Sequence, residues 1–174
     1  MISLPFIISF LKPYQKLRIL TFLDPDRDPL GAGYQIIQSK IAIGSGGLTG
    51  KGFTKGSQSQ LDFVPEQSTD FIFSVLAEEL GFLGFLLLIT IYSLIIYRCF
   101  SLSLKCEDNF SRLLGSSLTF VFFTYIFVNI GMVSGLLPVV GIPLPLISYG
   151  GSSLITLMAS FGIIMSIHKH KGPR

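Results

Sequence analysis

Charged residues are scarce in this sequence, and tryptophan is absent. Lys, Arg, Asp and Glu together make up 13% of the 174 residues, whereas about a quarter is usual in soluble domains. The two cysteines, Cys99 and Cys106, lack the spacing and the His or Cys neighbours of a metal site, so we interpret them as free thiols. The net charge of +3 is modest and the basic residues are dispersed, which argues against nucleic-acid binding.

Long apolar runs are what the sequence has in abundance, since 49% of its residues are hydrophobic. Residues 71–97, 113–133 and 150–167 are each close to or above the roughly 20 residues that a membrane-spanning helix needs. Residues 1–11 are apolar but span roughly half that length, and we interpret them as the remnant of a membrane helix. The sequence therefore predicts an all-α polytopic membrane protein that is the C-terminal fragment of a larger helix bundle.

The distribution of basic residues predicts the orientation in the membrane. The connection 98–112 and the tail 168–174 carry Lys and Arg, whereas the connection 134–149 carries neither. Short basic loops face the cytoplasm. We therefore expect 98–112 and 168–174 to be cytoplasmic and 12–70 and 134–149 to be extracytoplasmic; segment 12–70 is itself basic but is long enough for the rule to lose force.

The extracytoplasmic segment 12–70 contains two local patterns. Aspartates and prolines over 24–29 predict a solvated turn, with a cation site at Asp24, Asp26 and Asp28 as the less favoured alternative. Over 34–43, Tyr34, Ile37 and Ile41 recur at helical spacing, the pattern of a short amphipathic helix on a membrane surface.

A glycine-rich stretch at 44–52 contains Lys51. Bare backbone amides and an ammonium group suit an anion, which suggests a phosphate cradle. The stretch departs from the nucleotide-binding P-loop, because Ser45 replaces the first glycine and Gly52 replaces the hydroxyl residue after the lysine. From the residues alone, we favour a flexible hinge over a cradle.

Asp70 stands at the head of the longest apolar run. We expect Ser68 or Thr69 to cap the helix and Asp70 to lie in its first turn, where the helix dipole favours a carboxylate. One helical face continues from Asp70 through small residues, which let neighbouring membrane helices approach closely: Ser74, Ala77, Gly81 and Gly84. Glu78 lies near this face and Glu79 opposite. Asp70 is therefore predicted to crown a protein-lined cleft.

The other extracytoplasmic loop is rich in proline and then in glycine and serine. It contains Pro143 and Pro145, and its residues 148–153 open the last membrane span with amides on the same side as Asp70. Asn129, near the same surface, is expected to form hydrogen bonds within the bundle. Two classes of function remain open on these grounds: an enzyme that acts on an anionic lipid-linked substrate with Asp70 as general base, or a transporter or flippase with carboxylates along its path.

Three long motifs carry a resemblance that covers nearly the whole chain: LGAGYQIIQSKIAIGSGGL at 30–48, FTKGSQSQLDFVPEQSTDFIFSVLAEELG at 53–81 and PLPLISYGGSS at 143–153. They resemble the SEDS family of shape, elongation, division and sporulation proteins, which includes RodA, FtsW and SpoVE. The QSQL stretch at 58–61 is closer to the RodA branch. The sequence departs from the family pattern in two ways: Ser68 stands where His is common, and the family's N-terminal helices are missing.

The resemblance implies a peptidoglycan glycosyltransferase that polymerises lipid II for cell elongation and rod shape. It implies a multi-pass protein of the bacterial cytoplasmic (inner) membrane, with an extracytoplasmic catalytic face and a class B penicillin-binding protein as partner. Asp70 matches the family's essential aspartate, the general base. The other candidate residues, for substrate binding, are Lys40, Lys51, Glu66, Glu78, Ser148, Gly150, Gly151 and Ser152.

Charge neutralisation of the departing pyrophosphate is the remaining requirement of this chemistry. We expect Lys40, Lys51 or a divalent cation such as Mg²⁺ or Mn²⁺ to provide it. A lipid II flippase, or an inactive fragment that only binds a partner, is the alternative function.

Overall fold

The computed structural model describes residues 12–25, 31–53, 55–56 and 69–169. Within these residues every regular element is a helix, in agreement with the predicted all-α class. The helices are α1 (Pro13–Leu23), α2 (Ala32–Gly46), α3 (Ile72–Leu104), α4 (Asn109–Val133) and α5 (Gly151–Lys169). The predicted helix remnant at 1–11 lies outside the described residues.

Helices α3, α4 and α5 are long and apolar enough to cross a membrane. Helix α3 has 33 residues and does not end at Tyr97, because the residues from there to Leu104 include no glycine or proline to stop it. Helix α4 begins at Asn109 after Asp108, whose Oδ2 accepts a hydrogen bond from the amide of Ser111 (3.0 Å). The connection predicted over 98–112 is therefore reduced to a turn at 105–108.

The hydrophobic core lies between α3, α4 and the loop that follows α4. Phe73 and Tyr92 of α3 pack with Phe122 and Ile126 of α4, and the Tyr92 hydroxyl donates a hydrogen bond to the carbonyl of Pro145 (2.7 Å). Helix α5 contributes less, with Ile164 as its one buried residue. The outward faces of α3, α4 and α5 are apolar and exposed, as expected of helices that face lipid or further helices.

Helix α2 corrects the prediction of an amphipathic helix on the membrane surface. Its buried face is formed by Ile36, Ser39 and Ala42, whereas Ile41 of the predicted apolar side is 47% exposed. The Ser39 hydroxyl donates a hydrogen bond to the carbonyl of Val133 at the end of α4 (2.9 Å). Small residues on this face allow α2 to lie directly against the bundle, and periodicity of large apolar residues did not detect them.

Helix α3 is interrupted at Gly81, whose φ of 64° and ψ of −158° are not helical. At such a break the carbonyls of Glu78 and Glu79 lose the amides of Phe82 and Leu83 as partners. The glycine-rich stretch after α2 supplies all four replacements. The amides of residues 51 and 52 donate to the carbonyls of residues 78 and 79 (both 3.0 Å), and the amides of residues 82 and 83 donate to the carbonyls of residues 47 and 48 (2.9 and 3.1 Å).

This backbone splice, residues 47–52 paired with residues 78–83, is placed where water is scarce. Gly81 lies about 25 Å along α3 from Arg98, within the ~30 Å of a hydrocarbon core. Irregular backbone is tolerated at such depth only when protein groups satisfy it. The glycine-rich stretch is therefore neither a hinge nor an open cradle, and the small-residue face of α3 is buried at Ser74 and Ala77 but does not continue as one straight helix.

We expect Gly81→Ala to destabilise the protein by about 2 kcal/mol or more, because this backbone conformation is essentially restricted to glycine. A Cβ at Gly81 would also collide with the backbone of Leu48 and Gly50. The measurement is the apparent melting temperature in detergent micelles. Gly162→Ala is the control, since a Cβ there meets nothing within 4 Å; equal melting temperatures for the two variants would contradict the role of the splice.

Candidate active site

Asp70 lies in the turn that precedes α3. The helix begins at Ile72 with Phe71 as its N-cap and no side-chain cap, so Asp70 is outside the first turn in which it was predicted. Ser68, one of the two predicted caps, lies outside the described residues. The Asp70 side chain is partly exposed, and a Cβ built on Gly141 would lie 3.3 Å from its Oδ2. The carboxylate therefore faces the proline-rich outer loop.

The backbone around Asp70 is fastened to that loop by two side chains. The Asn129 side-chain amide donates hydrogen bonds to the carbonyls of Asp70 (2.9 Å) and Ile142 (2.6 Å). The Ser148 hydroxyl donates to the carbonyl of Thr69 (2.5 Å) and accepts from the amide of Leu144 (2.7 Å). The loop between α4 and α5 thus fixes the position of the turn that carries the carboxylate.

The glycine–serine segment at the start of α5 borders a surface depression of about 380 Å³. Ser148, Gly150 and Gly151, all predicted to bind substrate, line it together with Ile72 at the start of α3. Ser152 is exposed on the first turn of α5. The structure therefore places these predicted residues beside the turn of Asp70, whereas Glu66 lies outside the described residues.

Lys51 and Glu78 form an ion pair away from this depression. The Lys51 ammonium lies 2.6 Å from Oε1 of Glu78, whose side chain is fully buried, while that of Lys51 is 30% exposed. Glu78 is two turns beyond Asp70 along α3, about 12 Å away. Because each charge already has an opposite charge beside it, neither residue offers an unmatched charge to a substrate.

Lys40 occupies a third location. A Cβ built on Gly135, in the turn that ends α4, would meet Cε and Nζ of Lys40 first. A cation at the C-terminal end of a helix is favoured by the helix dipole. Lys40 is exposed, so its ammonium also remains accessible from outside.

Arg18 is a candidate residue that the sequence analysis missed. Its Nη1 donates a hydrogen bond to the carbonyl of Val140 (2.9 Å), the neighbour of the glycine that faces the Asp70 carboxylate. Arg18 is exposed. No motif surrounds this arginine in the sequence, and only the long-range contact between α1 and the outer loop reveals its place.

The described residues contain no group of three His, Cys, Asp or Glu side chains that could hold a metal ion.

Two apolar clefts lie along the outer part of α3. One, of about 370 Å³, lies between α2, α3 and α4 and includes Ile43, Phe73 and Ile130. The other, of about 350 Å³, runs along α3 from Phe73 to Ile91, shares part of its lining with the first, and reaches Ile147 of the outer loop.

These features define a polytopic membrane protein. At one end of its spanning helices, a carboxylate stands on a turn whose backbone is hydrogen-bonded to the outer loop and to α4. Residues 1–172 match the family of FtsW, RodA and SpoVE, described as cell cycle proteins. The chain belongs to this family.

Named relatives agree with this assignment. The chain is similar to peptidoglycan glycosyltransferase MrdB of Escherichia coli K12, with 61% identity over 91% of this chain and 43% of the relative. It is 48% identical to peptidoglycan glycosyltransferase RodA of Treponema pallidum, over 92% of this chain and 37% of the relative. The chain thus spans less than half the length of these curated relatives.

Two solved structures share the fold. One, from a study of how a peptidoglycan synthase complex coordinates polymerization and crosslinking, has a TM-score of 0.75 and 39% identity, covering 100% of this chain and 47% of that one. The other, a mutant of the rod shape determining protein RodA of Thermus thermophilus, has a TM-score of 0.60 and 28% identity, covering 95% of this chain and 60% of that one. The predicted fragment of a SEDS-type bundle is confirmed.

Removing one member of the Lys51–Glu78 pair should be costly, because it leaves the other charge uncompensated in a buried place. We expect Lys51→Met to destabilise the protein by about 2 kcal/mol or more, and Lys51→Met combined with Glu78→Leu to destabilise it less. The apparent melting temperature in detergent provides the comparison. Lys55→Met, at an exposed lysine of the same segment, is the control; a double variant as unstable as the sum of its singles would refute the pairing.

Proposed function

We propose that this chain carries the catalytic part of a peptidoglycan glycosyltransferase, which polymerises lipid II for cell elongation and rod shape. The observation that carries the proposal is the Asp70 carboxylate, partly exposed on a turn that Asn129 and Ser148 fasten to the outer loop. The relatives named as peptidoglycan glycosyltransferases support it. Because the chain spans less than half of each, the N-terminal part of such proteins would complete the enzyme.

In the proposed reaction Asp70 acts as general base. It accepts the proton of the acceptor sugar hydroxyl, whose oxygen forms a bond to the anomeric carbon of the donor. The bond from that carbon to the pyrophosphate oxygen breaks, and the electron pair leaves with the undecaprenyl pyrophosphate. A carboxylate on a turn whose backbone is held by Asn129 and Ser148 is suited to this role, because proton transfer depends on the position of the base relative to the reacting hydroxyl.

Positive charge near Asp70 would stabilise the departing pyrophosphate. Arg18 and Lys40 are exposed cations whose side chains contact the outer loop or the turn at its start, whereas Lys51 is paired with Glu78. Because the described residues contain no cluster of three metal ligands, a magnesium or manganese ion would fit there as an ion carried by the pyrophosphate, since Mg²⁺ is often held largely by substrate phosphates. Such an ion would supply additional positive charge.

The two apolar clefts along α3 support a lipid-linked substrate. Their linings are almost wholly apolar, and both extend along the outer part of α3 below Asp70. A polyprenyl chain could lie in such a cleft while its pyrophosphate and sugar remain at the level of the carboxylate. We further propose that the protein lies in the bacterial inner membrane with Asp70 on the extracytoplasmic face.

A class B penicillin-binding protein is the proposed partner. The likeness to a peptidoglycan synthase complex that coordinates polymerization and crosslinking supports this pairing. The exposed apolar faces of α3, α4 and α5 offer surface for further membrane helices.

The role of Asp70 is tested in a hybrid in which this chain replaces the matching part of the Escherichia coli relative. We expect Asp70→Asn and Asp70→Ala to lower the polymerisation of labelled lipid II at least 100-fold, because they remove the base. Membrane insertion should not change. Gel analysis of the glycan products in proteoliposomes measures the effect.

Asp108→Asn is the matched control, since Asp108 caps α4 at the end of the spanning helices that is remote from Asp70. It should retain polymerisation. Polymer formation by Asp70→Asn at the parental rate would exclude the proposed base. Exchange of labelled lipid II between leaflets without polymer would instead indicate a flippase, and binding of the partner with neither activity would indicate an inactive scaffold.

A further inference from the structure

Asn129 has a geometry that the proposed chemistry does not itself use. It is fully buried in α4, one turn before the helix ends at Val133. Its Nδ2 donates one hydrogen bond to the carbonyl of Asp70 and a second to the carbonyl of Ile142. These two acceptors belong to different segments, the turn before α3 and the loop after α4. A single side chain therefore joins the two segments that border the carboxylate.

The orientation of this amide is dictated by its partners. Both are carbonyl oxygens, which only accept hydrogen bonds, so the NH₂ group must face them. The Oδ1 atom of Asn129 is buried without a hydrogen-bond partner among the described residues, an arrangement that is energetically unfavourable. The Asn129 amide group thus donates two hydrogen bonds, whereas its oxygen accepts none among the described residues.

We propose that Asn129 is a positioning residue, which holds Asp70 at a fixed distance from the outer loop; this rests on the proposed function of Asp70. The carboxylate of Asp70 lies close to Gly141, and the carbonyl of the next residue, Ile142, is the second acceptor of Asn129. Without the two donations, the turn and the loop lose their link through Asn129, and the hydrogen bond from Ser148 to the carbonyl of Thr69 remains. A displacement of about 1 Å at a reacting group can lower a rate on the order of 100-fold.

The first measurement requires no activity. We expect Asn129→Leu, of similar volume but without donors, to increase amide hydrogen exchange at least tenfold in peptides that cover 69–72 and 139–149. Exchange in α5 should not change. The second measurement is lipid II polymerisation by the hybrid described above, normalised to the folded fraction. We expect kcat per folded molecule to fall at least tenfold while KM for lipid II stays within twofold. The normalisation is essential, because a loss of folded protein alone would also lower the apparent kcat without changing KM.

Thr119→Val is the matched control. Thr119 is also a buried polar residue of α4, but its hydroxyl bonds to the carbonyl of Gly115 within the same helix. It should leave both measurements unchanged. Asn129→Asp provides a second variant if Asn129→Leu does not insert: a neutral carboxyl group offers one donor for two carbonyls, so we expect an intermediate loss of kcat.

Unchanged exchange in the two peptides, or a kcat within twofold of the parent, would overturn the positioning role. A rise in KM with constant kcat would overturn it too, because it would indicate loss of substrate binding. Absence of polymer from the parental hybrid would contradict the proposed function instead. The exchange experiment would then still test whether Asn129 joins the turn before α3 to the loop after α4.

Discussion

Pairing of backbone polar groups away from water is the constraint on which this structure depends. A membrane offers no solvent to a carbonyl or amide that leaves the helical pattern. The chain departs from that pattern within α3, at Gly81, and it supplies four hydrogen bonds from residues 47–52 and 82–83 in compensation. The position of α2, the form of the glycine-rich stretch and the close approach of Gly50 to α3 all follow from this requirement.

The outer part of α3 is consequently held at both ends. At one end, Asn129 and Ser148 bind the carbonyls of residues 69 and 70. At the other, the splice and the Lys51–Glu78 ion pair fasten the helix to the segment after α2. The segment between them is short, so Asp70 is carried on a rigid element although its own turn is irregular. A fixed backbone beneath Asp70 is what its proposed role as general base requires.

The sequence predicted the features that depend on composition and local pattern. Apolar runs predicted the three long helices, and the order of the spans predicted that Asp70 and the loop containing Ser148 lie on the same side of the bundle. The break at Gly81 was not predicted, because a glycine in a helical pattern is compatible with a continuous helix. The glycine-rich stretch that pairs with it, residues 47–52, is distant in the sequence, and nothing local shows that the two segments must meet.

Contacts between distant segments also explain why the partners of several charged and polar residues were not predicted. Lys51 and Glu78 were both considered for substrate binding, but the sequence could not show that they neutralise each other. Arg18 has no surrounding motif and gains significance only through its contact with Val140. Asn129 was recognised as a polar residue in an apolar run, which predicted hydrogen bonding but not its partners in two separate segments.

The order in which the chain is synthesised gives the splice a consequence for membrane insertion. Residues 47–52 emerge before α3, yet they can complete their bonds only after residues 78–83 have entered the bilayer. During insertion, the amides of Phe82 and Leu83 have the carbonyls of Glu78 and Glu79 within reach as ordinary helical partners. We therefore expect α3 to enter the bilayer as an unbroken helix and to exchange those two bonds for four when α2 docks, which makes the break a late product of assembly.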